Sequence, residues 1–245
     1  MYVTMIALAA LWGAAAGLLV PRAAYRLSVS PEEPWRDRCP AGHALAGPAS
    51  GWLGGPGRRD CATTGSPLAA PLVTALVCAA LAAATGGPRP ELAVWLLGVP
   101  FAVLLASVDA RVRRLPDGLT LPLAAAVPLL LGAAELLPYD AGSWLHAVLG
   151  ALALGGAYLV LFLVNPSGLG FGDVKLAVPL GAALGWYGWG VLFTGAFAGF
   201  LLGAVYGLGL MLLRRADRSS AIPFGPFMLG GALLGLLLGA FTALP

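Results

Sequence analysis

Long apolar stretches alternate with short polar ones along the whole chain. The apolar runs cover 3–20, 67–85, 92–108, 119–137, 144–164, 174–189, 190–213 and 222–244. Most approach the ~20 residues that a helix needs to cross the hydrocarbon layer of a bilayer, so the pattern predicts eight transmembrane helices. The sixth run is the weakest, being short and interrupted by Pro179 and several glycines. No Lys or Arg precedes the first run, whereas Arg22 and Arg26 follow it. That order of flanks belongs to an uncleaved span with its N-terminus outside, not to a signal peptide.

Composition agrees with this reading. Of 245 residues, 59% are hydrophobic and 10% charged, and mean hydropathy is +0.87. A soluble domain carries about 25% charged residues, so this chain cannot cover a water-facing surface, and eight spans leave no room for a large enzyme domain outside the membrane. The expected fold is an all-α polytopic membrane bundle. The net charge of +3 reports orientation rather than a nucleic-acid partner. Thirteen of the 14 Lys/Arg residues fall in the first, third, fifth and seventh connections, and Arg89 alone lies in an even one. The positive-inside rule then places the odd connections in the cytoplasm and both termini outside.

Three regions follow: a first span over 1–20, a cytoplasmic loop over 21–66 rich in Pro, Gly and Arg, and a core of seven spans over 67–245. The loop lacks the apolar periodicity of an independent core. In the last two spans small residues recur every fourth position, at Gly195, Gly199, Gly203 and Gly207 and again at Gly231, Gly235 and Gly239. Such ladders are how membrane helices pack closely.

The 11 acidic residues carry the chemical argument. Glu32, Glu33, Asp37, Asp60 and Asp217 fall in cytoplasmic loops, and Glu91, Glu135 and Asp140 at the outer side; all read as solvated charges. Asp109 ends the third span, Asp117 precedes the fourth and Asp173 opens the sixth, all at cytoplasmic helix ends. An acid at membrane depth is costly and marks a functional site. Structural roles stay open beside that reading. Asp117 fits a cap on the fourth helix, Asp109 a pair with Arg111, Arg113 or Arg114, and Asp173 a cap or a pair with Lys175. Gly168, Gly170 and Gly172 permit positive φ and close approach of another chain, which suits a peptide lying against Asp173. Two such acids held together at the edge of a low-dielectric region share one proton, the arrangement of an aspartic protease. No G-x-S-x-G or H-E-x-x-H occurs, and the two histidines, His43 and His146, lie far from the acids in the sequence.

The segments GAAAGLLVPRAAYRL, DARVRRLPDGLTLP (109–122), GFGDVKL (170–176), GAALGW and IPFGPF (222–227), in this order, resemble the type IV prepilin leader peptidases, membrane aspartic proteases with a G-x-G-D motif. The resemblance implies catalytic acids at Asp109 and Asp173, 64 positions apart, with Asp117, Gly170, Gly172 and Lys175 in supporting or substrate-positioning places. It implies cleavage of a short basic leader from prepilin or pseudopilin precursors at the cytoplasmic face of the cell membrane, ahead of the substrate's hydrophobic helix, without a cofactor. Bifunctional members then methylate the new N-terminus using S-adenosylmethionine, and carry two C-x-x-C pairs as a zinc site in the first loop. This chain has Cys39, His43 and Cys61 there, three soft donors where a structural zinc takes four, unless Asp37 or Asp60 joins them. Cys78 reads as a small buried residue in the second span. The proteolytic half of the family pattern is complete and the methyl-transfer half is not.

Two other classes compete with an endopeptidase. A small transporter would line a proton or cation path with Asp109, Asp117 and Asp173, but a path needs polar groups at several depths. A noncatalytic assembly protein for a pilus or secretion system would use the same acids only as caps.

Overall fold

The computed structural model describes residues 2–30, 32–52, 68–166, 168–213 and 222–243. Helices account for nearly all regular structure among them, and the one β contact is an isolated bridge between Arg38 and Ala44. Each predicted span becomes a helix: α1 (Tyr2–Gly17), α4 (Ala69–Thr85), α5 (Pro90–Val112), α6 (Asp117–Glu135), α7 (Trp144–Val164), α8 (Phe171–Gly185), α9 (Trp189–Leu212) and α10 (Gly225–Thr242). Between α1 and α4 lie α2 (Val20–Leu27) and α3 (Pro48–Gly51), the latter a single turn with Ala49 and Ser50 at positive φ. The chain is a multi-pass helical membrane protein. Six of its helices, counting α1 and α2 as one, have the length and composition to cross a bilayer among the described residues; α4 is shorter and α8 shorter still.

The shortness of α8 has a physical cause. At 15 residues and a rise of 1.5 Å per residue it spans only about 22 Å, but ten of those residues are buried, a larger share than in any of the six longer helices. Pro179 lies inside α8 without ending it. On one side α8 packs tightly on α7, where Gly150 and Gly181 each stand against the other's carbonyl and leave no space for a Cβ. The ladder reading holds for α9 and α10 as well: Gly231 meets the backbone of Gly195 and Gly199, and Gly235 meets that of Gly195. Gly203 and Gly239 make room instead for the rings of Phe224 and Tyr187. At the α1–α4 contact Gly13 and Gly17 face Thr74, whose hydroxyl donates to the Gly13 carbonyl at 2.6 Å.

The first connection differs from its expected course. Leu18 and Leu19 turn the chain, and it resumes as α2 with Pro21 in the first turn, where proline's missing N–H costs nothing. One face of α2, with Val20, Ala24 and Leu27, packs on Leu104 and Val108 of α5. This holds α2 beside the end of α5 that carries Asp109.

Candidate active site

The last turn of α5 brings Asp109 to the end of the bundle. The helix closes on Arg113, a non-glycine residue in the left-handed region (φ 52°, ψ 43°), whose N–H donates to the Asp109 carbonyl at 2.8 Å. That conformation costs an L-residue about 1–2 kcal/mol. It turns the chain sharply, so that Leu115 is buried and Pro116, in extended conformation, leads into α6 at Asp117. Leu115 then packs on Gly172 so closely that a Cβ there would lie 3.0 Å from the leucine's Cβ. The two acid-bearing segments interlock at this contact.

Asp109 and Asp173 are both buried, at 4% and 8% exposure, and their charges lie within electrostatic reach of each other. Each holds one oxygen against a glycine N–H. Asp173 Oδ2 accepts from Gly170 at 3.1 Å, while the Asp173 N–H donates back to the Gly170 carbonyl at 3.0 Å. Asp109 Oδ2 accepts from Gly225 at 2.9 Å. Gly225 opens α10, so this N–H is one of the unpaired donors of a helix start, pointed at a carboxylate where the helix dipole favours negative charge.

The expectations for the other candidates need correction in several places. Asp117 makes no capping hydrogen bond; it pairs with Lys175 Nζ at 2.7 Å, and Lys175 lies over the Phe171 ring. With the carboxylate 62% exposed, this is a surface pair, worth about 0–1 kcal/mol. Asp109 takes the Gly225 N–H and no arginine, and Asp173 takes its own helix's cap and not Lys175. The glycines before Asp173 do not use positive φ: Gly170 sits at φ −76° and ψ 146°, and Gly172 is already helical. Their contribution is close approach. Cys39 and His43 do meet, Sγ to Nδ1 at 3.7 Å. Cys61 lies outside the described residues, and among those described no group of three or more His, Cys, Asp or Glu could hold a metal.

Three features escaped the sequence. Gly225 belongs to IPFGPF, whose only signal was the motif itself. Tyr158 of α7 comes within electrostatic reach of Asp173, its ring stacked on Phe200 and tilted against Phe224. Glu91, expected to be solvated, is fully buried at the opposite end of α5. Its neighbours are Arg89, Tyr187 and the backbone near Asp140. The acids therefore do not all lie at one end.

Fold and site together define a polytopic helical membrane protein with a buried aspartate pair at one end of the bundle. Residues 96–208 match the model of the type IV leader peptidase family. A protein of Aeromonas salmonicida named prepilin leader peptidase/N-methyltransferase is 35% identical over 176 residues, covering 69% of this chain and 55% of the relative. Proteins of the same name from Pectobacterium carotovorum subsp. carotovorum (32% identical, 80% of this chain and 70% of the relative) and Burkholderia pseudomallei (strain K96243; 34%, 83% and 67%) extend the likeness. The chain belongs to the type IV leader peptidase family. It spans about 55% of the length of several of the relatives it matches. No solved structure matches it.

Proposed function

We propose that this protein is a membrane aspartic endopeptidase that removes the basic leader from a type IV prepilin or pseudopilin at the cytoplasmic face of the cell membrane. The observation that carries the reading is the aspartate pair: Asp109 and Asp173, from two different helix ends, buried within electrostatic reach and each fixed by a glycine N–H. The ionised carboxylate takes a proton from the water that attacks the scissile carbonyl while the protonated partner gives its proton to the carbonyl oxygen, forming a gem-diol. The proton taken from water then passes to the leaving amine as the C–N bond breaks, and the partner recovers its proton from a gem-diol hydroxyl. Holding both acids rigidly keeps the water and the peptide bond in attacking geometry. Asp117, Lys175, Gly170 and Gly172 shape the rim of this site. The chemistry asks for no cofactor. S-adenosylmethionine belongs only to a second, methyl-transferring activity, and leader removal is the reaction proposed.

An ion path is less well supported. Glu91 does supply an acid at the far end, but the space along α5 between it and Asp109 is lined by apolar residues alone, which offers no relay. The test is co-expression with a prepilin. Asp109→Asn and Asp173→Asn should each leave the precursor full length while the protein still inserts. Normal processing by either variant would sink the assignment, and an active Asp109→Asn beside an inactive Asp117→Asn would move the partner role to Asp117.

A further inference from the structure

Between α4, α5, α6, α8 and α10 runs a cavity of about 220 Å³ whose lining residues are all apolar. Along α5 it reaches from Val94 to Ala106, roughly 18 Å at 1.5 Å per residue. It is therefore a slot parallel to the helices. Its inner end stops one turn short of the acids: Leu105 and Ala106 precede Asp109 by four and three residues, and Leu176 follows Asp173 by three. It is not sealed, because Gly98, Ala102 and Ala106 on its wall remain partly exposed. At Gly98 a Cβ would meet nothing within 4 Å, so the wall lacks a side chain there with no neighbour to require it.

We infer that this slot seats one apolar face of the substrate's own helix, with the scissile peptide at its inner end between Asp109 and Asp173. The inference rests on the endopeptidase reading and adds to it where the substrate lies and what sets its specificity. Its reason is continuity. A peptide bond held between the two acids has its next residues on the bilayer side at the mouth of the slot, and a wall without a polar group accepts only apolar side chains there. The slot is about as long as three turns of helix, so it accommodates a stripe of side chains at helical spacing. A lipid tail would also be apolar, but it would have no reason to end at a pair of carboxyls.

The experiment fills the slot from within. Gly98→Leu and Ala102→Leu add side chains to its wall, and each variant is purified in detergent and assayed on a single-span precursor with a short basic leader. Cleavage should fall about tenfold or more, the scale on which an apolar pocket discriminates by one or two methylenes. Thermal unfolding should stay unchanged or shift upward, because the leucine enters open space. Shaving the substrate's slot-facing leucines to alanine should restore cleavage by Gly98→Leu. As a second readout, a photoreactive phenylalanine analogue at Ala102, in an Asp109→Asn background, should crosslink to uncut precursor. Full activity of both leucine variants, or crosslinking to lipid alone, overturns the inference. An inactive Asp109→Asn in the same assay would still leave the endopeptidase reading standing, so the two can fail separately.

Discussion

At the residue scale, the site depends on where two side chains are prevented from existing. A Cβ on Gly225 would sit 2.8 Å from Asp109 Oδ2, so Gly225→Ala must push the carboxyl off its backbone donor. A displacement of about 1 Å at a reacting group costs on the order of a hundredfold in rate. Gly225→Ala should therefore lower cleavage by about ten- to a hundredfold with insertion intact, read from the precursor-to-product ratio. Asp117→Asn removes only an exposed ion pair. Its unfolding free energy should change by less than about 1 kcal/mol, and its cleavage should remain well above that of Asp109→Asn, measured side by side on one precursor. The sequence located all of these acids, but it could not sort them. Asp117 and Asp173 both stand in the first turn of a helix, and only their surroundings, one exposed against Lys175 and one buried, tell them apart.

The element that matters most is α8. It is too short to be read securely as a span, and its Pro179 and glycines look like interruptions in the sequence, yet these same small residues let it sink among α6, α7, α9 and α10. Leucine at Gly181 would collide with the Gly150 backbone. Overpacking of this kind costs about 1–3 kcal/mol or more, so Gly181→Leu should lower the unfolding temperature in detergent and lose cleavage together. At its far end, α5 is tied to α10 by Arg89 Nη2 donating to the Ala243 carbonyl at 2.7 Å, as Asp109 and Gly225 tie the near end. Glu91 stands buried beside this tie, and glutamine matches its size without a charge. Glu91→Gln should hold stability within about 1 kcal/mol, whereas Glu91→Lys, which adds a cation beside Arg89, should fail to fold; expression and thermal unfolding report both.

For the molecule as a whole, the distribution of basic residues predicts an orientation that labelling can test. A single cysteine at the exposed Tyr139, in a chain whose own cysteines are replaced, should react with an impermeant thiol reagent added outside intact cells. One at Arg114 should react only after the membrane is opened. Reversal of that pattern would put the aspartate pair on the wrong side for a cytoplasmic cut.

What the sequence determined by itself is whatever depends on composition and local order. Apolar run length marked the helices, the Lys/Arg distribution predicts a sidedness, and G-x-G-D with DARVRRLPDG marked the acids. Only the tertiary structure decided which groups meet. Glu91 read as solvated because it stands beside a polar loop, yet Tyr187 and the 140–141 backbone bury it from elsewhere in the chain. The Gly225 N–H reaches Asp109 across 116 positions, and the slot has walls from five helices. Burial and hydrogen bonding are properties of neighbours, and in a helical bundle the decisive neighbours of a residue stand on other helices, at sequence separations that no local pattern encodes.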